Sequence, residues 1–394
     1  MTDENRTDGT VDRRGFLKTA GAGLTAATAM LTSREQAMAQ AASEKDKLDR
    51  LASCTWPIRQ IFKTRAGGGR GRGNAATGTN QPAAEGRQAG AGTGQPAGRN
   101  RMTSAQMKEK YGEITMLDFP QFTKDTFPGV TRMDIRSGLF GDVTDDSMFV
   151  QGTFDPSSAS GKKWLDKLVA KMAATGTRVQ HISNNAPTNL ADQDVALRKA
   201  GVDVGKKWLD GAKILGAKSV RMNSPQAFGP SIRPQAVRDP ATGYPKNDDI
   251  VPYLNNAIES YKEMADYGGN LGIKVTIENH WGLAADPMNI RIILDTVNHP
   301  FCEASPDFCN WEYEHMLFSG LKALAPYAHT NVHAKFWDRW TNNDVQRSVR
   351  IMLAAGYKGT FALEYEEGPL DGIEGAKYLY KEVLSALSSP VPVV

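Results

Sequence analysis

Glu278, Asp307, His333 and Glu364 are separated by 29, 26 and 31 residues in a chain of 394. Each sits in or just after a short run of strand character: VTIENHW, ASPDFCNW, NVHAKFW and FALEYEEG. One strand, its crossover helix and the returning loop need about 30 residues, so each gap is the length of one such unit. Four successive units bring their strand ends to a common rim, where the four side chains converge. Three carboxylates meeting there repel one another unless a cation compensates them. Three oxygens and one imidazole nitrogen suit a single divalent ion (Mn, Mg, Co, Zn or Fe(II)), without a firm ranking among these.

The run TNVHAKFWDRW places His333, Lys335, Trp337 and Arg339 on alternate positions, hence on one side if the run stays extended. Three basic groups beside a Trp are costly to bury without partners, so this side must face polar groups or a ligand. Around it the chain alternates eight strand-like with eight helix-like segments, from LASCTW at 51–56 to the closing helix IEGAKYLYKEVLSAL. A Ser-capped helix is predicted to end at Gly176, and an early helix to break near Pro120. Regular alternation of this kind predicts an α/β fold. Eight units predict closure into a single (β/α)8 TIM barrel over 48–388. The first strand is followed by SCTWPIRQ, which lacks the glycine-rich fingerprint of a dinucleotide-binding sheet.

Two segments fall outside this pattern. Residues 65–105 are Gly, Ala, Gln, Pro and Arg with almost nothing to enter a core, which predicts a disordered Gly/Arg-rich insertion after strand 1. Lys plus Arg number 47 and Asp plus Glu 44, and much of the small excess lies in that insertion, so no nucleic-acid partner is expected. Residues 1–39 carry paired Arg13 and Arg14, then Phe16, Leu17 and Lys18, an Ala/Gly/Leu stretch and AMA at 37–39. This resembles the signal peptide of the bacterial twin-arginine pathway. It implies the export machinery as a partner and a periplasmic or extracellular location, with an uncleaved leader acting as a tether left open. No stable membrane insertion is expected after cleavage. Of three cysteines, Cys302 and Cys309 are the pair that an oxidising compartment could join, while Cys54 stands alone.

The motifs VTIENHWG, ASPDFCNW, VHAKFW and YKGTFALEYEEG resemble those of the xylose-isomerase-like TIM barrels, over roughly 48–388 with the insertion excepted. That superfamily includes sugar phosphate isomerases and epimerases and AP endonucleases of the endonuclease IV type. The resemblance implies one divalent ion on Glu278, Asp307, His333 and Glu364, with Glu278 and Glu364 doubling as the acid/base pair. It places the substrate-positioning arginine on Arg339, six residues beyond His333. Lys335 and Trp337 are then expected to meet a sugar's oxygens and its apolar face, and His181, His280 and Asn310 to contact substrate. Asn310 stands where some sugar epimerases have histidine. With that change and only six histidines in the chain, a trinuclear nuclease site is under-supplied.

The expected activity is a metal-dependent isomerase or epimerase acting on a small carbohydrate through an enediolate. A metal-dependent lyase or hydrolase of a keto-sugar or glycoside, and a non-catalytic carbohydrate-binding barrel, are the alternatives; self-association is left open. Replacing Arg13 and Arg14 together with lysine should abolish export, read as retention of the protein in the cytoplasmic fraction. Cytoplasmic retention of the unaltered chain would exclude the leader.

Overall fold

A computed structural model describes residues 43–65, 102–222, 249–280 and 282–389. The chain divides into Met1–Glu44, described only at residues 43 and 44, and the unit Lys45–Val394. The expected signal peptide and residues 66–101 of the expected insertion lie outside the described residues. Within the insertion's expected boundary, Thr103 already caps a short helix, Ser104–Tyr111, through a reciprocal bond with Gln106.

Eight strands form one parallel sheet: β1 Leu51–Cys54, β2 Arg132–Arg136, β3 Arg178–Ser183, β4 Ser219–Arg221, β5 Lys274–Ile277, β6 Cys302–Ala304, β7 Asn331–Trp337 and β8 Thr360–Glu367. Their order is β6-β5-β4-β3-β2-β1-β8-β7, so every neighbour but one is the next strand in the chain. The two ends of that order meet through single bridges, Ala304 with Ala328 and Asp307 with His333. At this seam Phe308 N donates to His333 O (3.1 Å) and His333 N to Pro306 O (3.1 Å). The sheet is thereby a closed barrel, as the repeat spacing predicts.

The crossovers are helical: α1 Phe119–Thr126, α2 Ala159–Thr175, α3 Val195–Leu215, α4 Val251–Leu271, α5 Pro287–Val297, α6 Met316–Leu324 and α7 Val345–Ala354, with α8 Gly372–Ser388 after the last strand. Side-chain caps start several of them. Ser158 accepts from Gly161 N ahead of α2, and Asp194 from Ala196 N and Leu197 N ahead of α3. Gly176 and Gly216 close the same two helices at φ 70° and 67°, where a Cβ would be strained. Pro120 does not break α1. It occupies the first turn, where no intrahelical N–H bond is lost. Among the described residues no helix is long and apolar enough to cross a membrane.

Two interiors result, and they differ in character. The apolar core fills the layer between sheet and helices, where Met133, Ile135, Val220, Val332, Phe361 and Leu363 meet the helix faces. Inside the barrel the apolar cluster shrinks to Ala52, Cys54 and Ala362, with Trp56 above. The remaining space holds Asp134, His181, Asn331 and His333, each fully buried. Between β2 and β3 the register slips by one residue, from Met133 opposite Val179 to Asp134 opposite His181. The slip leaves Gln180 without an opposite residue, so two polar side chains in succession are accommodated.

Gly320 of α6 connects the helical layer to the loop after β6. A Cβ there would lie 2.6 Å from the buried ring of Trp311, whose Nε1 donates to Phe308 O (3.0 Å). Gly320→Ala should therefore lower stability by about 1–3 kcal/mol through overpacking, despite the roughly 1 kcal/mol gain in helix propensity. A raised melting temperature would show that the indole yields without cost.

Candidate active site

The C-terminal strand ends surround a cavity of about 380 Å3 lined by Glu278, Glu364, Lys335, Arg221, Arg136 and Trp56, among others. Its floor is built on His333, which β7 aims into the barrel along with Asn331 and Lys335. His333 Nε2 lies 2.9 Å from Asp134 Oδ2 on β2 and 3.2 Å from Ser183 Oγ on β3. Ser183 in turn donates to Asp134 Oδ1 (2.7 Å), and Asn331 Nδ2 to Asp134 Oδ2 (3.0 Å). A carboxylate so placed draws the ring proton to Nε2 and leaves Nδ1 facing the other way.

On that other side stand Glu278 and Asp307. One donor atom from each of Glu278, Asp307 and His333 lies within 4.8 Å of the others. His333 Nδ1 is buried with no hydrogen-bond partner, and Asp307 Oδ2 is met by the Lys335 ammonium at 2.9 Å. Asp307 is fixed by its remaining atoms: Oδ1 accepts from Cys309 N (2.7 Å) and Asn310 N (3.0 Å), and its own N donates to Asn279 Oδ1 (2.7 Å). An imidazole nitrogen without a hydrogen-bond partner, converging with two carboxylates, makes a donor set suited to a divalent cation, which would take the place of the Nδ1 proton. The structure thus joins three of the four expected ligands.

Glu364 stands apart from that set. Its Oε2 is 3.6 Å from His333 Nε2, on the Asp134 side of the ring, and its Oε1 is 3.0 Å from Lys335 Nζ. A second set of three, Asp134, His181 and His333, lies deeper in the barrel. His181 belongs there, with Nδ1 2.7 Å from Ser219 Oγ and Nε2 unbonded. It is fully buried below the cavity rather than on its wall.

Lys335 is the internal counter-ion. Its ammonium lies 2.9 Å from Asp307 Oδ2, 3.0 Å from Glu364 Oε1 and 3.4 Å from Glu366 Oε2, and it donates to Asn310 Oδ1 (2.9 Å). Arg221 does the same for Glu278, donating to Oε2 with one arm and to Asn185 with the other, while Asn310 Nδ2 donates to Glu278 Oε1 (2.8 Å). The charge that the sequence reading assigned wholly to a bound cation is therefore shared by two of the protein's own side chains.

Ionisation follows this arrangement. Burial alone would raise the Glu278 carboxyl, but Arg221, helped by His333, His280 and Lys335, holds it well below the usual carboxylate range. Burial pushes Asp307 up to about 7, with Lys335 opposing and Glu364 and Glu278 adding. Burial would lower the His333 imidazolium, yet Glu364, Glu278 and Asp134 raise it to about 10. His181 and His280 are both pushed down to about 4, chiefly by burial, so each is neutral near pH 7.

Of the remaining expected contacts, His280, Asn310, Lys335 and Trp337 line the cavity. Arg339 does not. β7 ends at Trp337, and the Arg339 guanidinium lies over the rings of Trp337 and Trp340 (5.2 and 4.3 Å) and donates to Glu312 O (3.4 Å). The alternation that put Arg339 beside His333 holds only while the chain is extended. Cys302 and Cys309 are unpaired, and Cys309 Sγ instead donates to Lys335 O (3.2 Å). Sequence reasoning missed Asp134, Arg136, Ser183 and Arg221. Their signal was present as polar residues at every second position of β2 (RMDIR) and at the ends of β3 and β4.

The fold recurs in solved structures. A 3-keto-D-glucoside 4-epimerase from E. coli is 14% identical, with a TM-score of 0.50 over 68% of this chain and 94% of that one. An L-ribulose 3-epimerase is 14% identical (TM-score 0.49; 69% and 88% covered). A xylose isomerase-like TIM barrel protein from Mycobacterium smegmatis in complex with magnesium is 17% identical (TM-score 0.47; 69% and 89% covered). None of the curated proteins matches. Residues 147–385, well over half of the chain, match the family model of the xylose isomerase-like TIM barrels, and the chain belongs to that family.

Proposed function

We propose that this protein is a metal-dependent epimerase or isomerase of a sugar or sugar derivative, working by proton transfer beside a carbonyl. The carrying observation is the floor of the cavity, where His333 Nδ1, buried without a hydrogen-bond partner, converges with the carboxylates of Asp307 and Glu278. Membership of the family supports the reading, as does a shared fold with a 3-keto-D-glucoside 4-epimerase. Glu278, Asp307 and His333 would hold one divalent ion, whose chemistry there would be to polarise a substrate carbonyl.

The chain's own residues supply the rest. Trp56 and Trp337 give a sugar ring apolar walls, and Asn310, Lys335 and His280 offer it polar contacts. Glu278 and Glu364 are the acid/base pair. Glu278 has both oxygens tied, to Arg221 and to Asn310, which favours its ionised form. Glu364 is held mainly by Lys335, a cation able to stabilise charge as a proton leaves the substrate carbon. The proton taken by one glutamate is returned by the other to the opposite face or to the neighbouring carbon. Arg13 and Arg14 support the further reading that the enzyme is exported and meets its carbohydrate outside the cytoplasm.

Elemental analysis of purified protein should find about one divalent ion per chain. Asp307→Ala should release it with the circular dichroism spectrum unchanged. Asp134→Asn, which removes only the carboxylate behind His333, should weaken metal affinity by about 10–100-fold. Full occupancy in both variants would rule out this donor set.

Glu278→Gln and Glu364→Gln each keep an oxygen but lose the base. Each should lower kcat at least about 100-fold on whichever ketose, aldose or keto-glycoside a substrate screen identifies. In D2O the unaltered enzyme should place deuterium on the carbon next to the carbonyl. Turnover without deuterium entry would exclude proton abstraction and favour hydrolysis.

A further inference from the structure

At the other end of the barrel the strands begin in a ring of cations. Arg132, Arg178 and Lys274 are the first residues of β2, β3 and β5. Arg50 and Lys218 immediately precede β1 and β4, and Lys358 stands two residues before β8. Three of these repeat one local pattern, in which a positive-φ glycine closing a helix is followed two residues later by lysine: Gly216 and Lys218, Gly272 and Lys274, Gly356 and Lys358.

Five of the six, all but Arg178, line a second cavity of about 390 Å3 together with His329, and Asp49 is the sole carboxylate on its wall. That carboxylate is already shared, by Arg178 at 3.0 Å and Arg132 at 4.0 Å. The other contacts are to neutral groups, including the rings of Tyr357 and Phe361 beneath Arg50 and of Phe301 beneath Lys274. Arg50 donates to Gly359 O (2.6 Å) and Tyr357 O (2.9 Å), Arg132 to Gln180 Oε1 (2.7 Å), and Lys274 to Pro300 O. Arg132 Nε, 4.0 Å from Asp49 Oδ1, is buried without a hydrogen-bond partner. Among the described residues no carboxylate lies within ion-pair distance of Lys218, Lys274 or Lys358. Glu303, buried nearby, has Oε1 bonded to Thr330 N (2.9 Å), and burial raises its carboxyl above the usual range. The cations also oppose one another: beyond the effect of burial, Arg178 lowers Arg132, Lys274 lowers His329 and Arg132 lowers Arg50.

Helix C-termini carry partial negative charge, which accounts for a single basic residue just beyond each cap. It does not account for five permanent cations converging on one concavity that holds one shared carboxylate. Such a concavity focuses positive potential, and a multivalent anion relieves the repulsion while accepting charge-assisted bonds.

We propose that this basin, at the end of the barrel opposite the candidate active site, binds a small multivalent oxyanion of the phosphate class. Its arginines, anchored by some of their N–H groups, supply fixed positive charge and its lysines mobile point charges, a combination suited to tetrahedral oxyanions. The site is separate from the sugar chemistry proposed above and stands or falls without it.

The test uses the full chain and inorganic phosphate as probe, with melting temperature followed while phosphate replaces chloride at constant ionic strength. Stabilisation should saturate. Lys218→Ser/Lys358→Ser, at exposed positions, should weaken the apparent affinity by at least about tenfold. The control pair Lys163→Ser/Lys171→Ser, exposed on α2, should leave it unchanged, and Lys218→Arg/Lys358→Arg should retain binding. Three results would overturn the proposal: no saturation, an equal effect of chloride, or unaltered affinity in the Lys218/Lys358 serine variant. A citrate arm decides the ligand class, since equal stabilisation by citrate would refute the preference for phosphate chemistry.

Discussion

The bond between His333 and Asp134 spans the inside of the barrel, from β7 to β2, and the rest of the active-site end is arranged around it. Both groups are fully buried, so neither tolerates the loss of the other without leaving an uncompensated polar group in a dry interior. Ser183 and Asn331 satisfy the remaining capacity of Asp134, which fixes the carboxylate and, through it, the imidazole plane. The direction in which His333 presents Nδ1 is consequently set by three strands at once. Any chemistry on that side of the ring inherits this rigidity.

The division of labour between the two interiors follows from the same constraint. Because the helices cover the outer faces of the strands, the apolar core can be built there and the barrel lumen need not be hydrophobic. Polar side chains then fill the lumen in tiers: cations at the strand starts, the Asp134–His333 pair in the middle, and carboxylates with Lys335 and Arg221 at the strand ends. Charge of each sign is met by the other within about one tier at the active-site end. At the opposite end the cations outnumber their partners.

Much of this was legible in the sequence, for reasons tied to particular residues. The gaps from Glu278 to Glu364 read correctly because a βα unit has a characteristic length, and Gly176 ended its helix because an αL position selects glycine. Convergence of Glu278, Asp307 and His333 followed from the closed parallel topology alone. What could not be read was orientation. Spacing places Glu364 at the right height but does not say on which side of the His333 ring it stands. Arg339 followed the alternation only on paper, since the strand ends two residues earlier. Asp134 and Arg221 carried no motif, being polar residues on short strands whose roles depend on partners about 200 and 57 residues away.

The seam between β6 and β7 joins two ends of a sheet, and β6 is only three residues long. Its bridge pairs Asp307 with His333, and each backbone bond there flanks a side chain of the candidate metal centre. An ion on those donors would therefore add to a closure that the backbone bonds already make. Whatever occupied those donors would act as a clasp on the barrel, since opening the seam would separate Asp307 from His333. By linkage, the hydrogen-exchange protection of β6 and β7 becomes a gauge of occupancy, and the concentration of the occupant sets how often the ring breathes at that point.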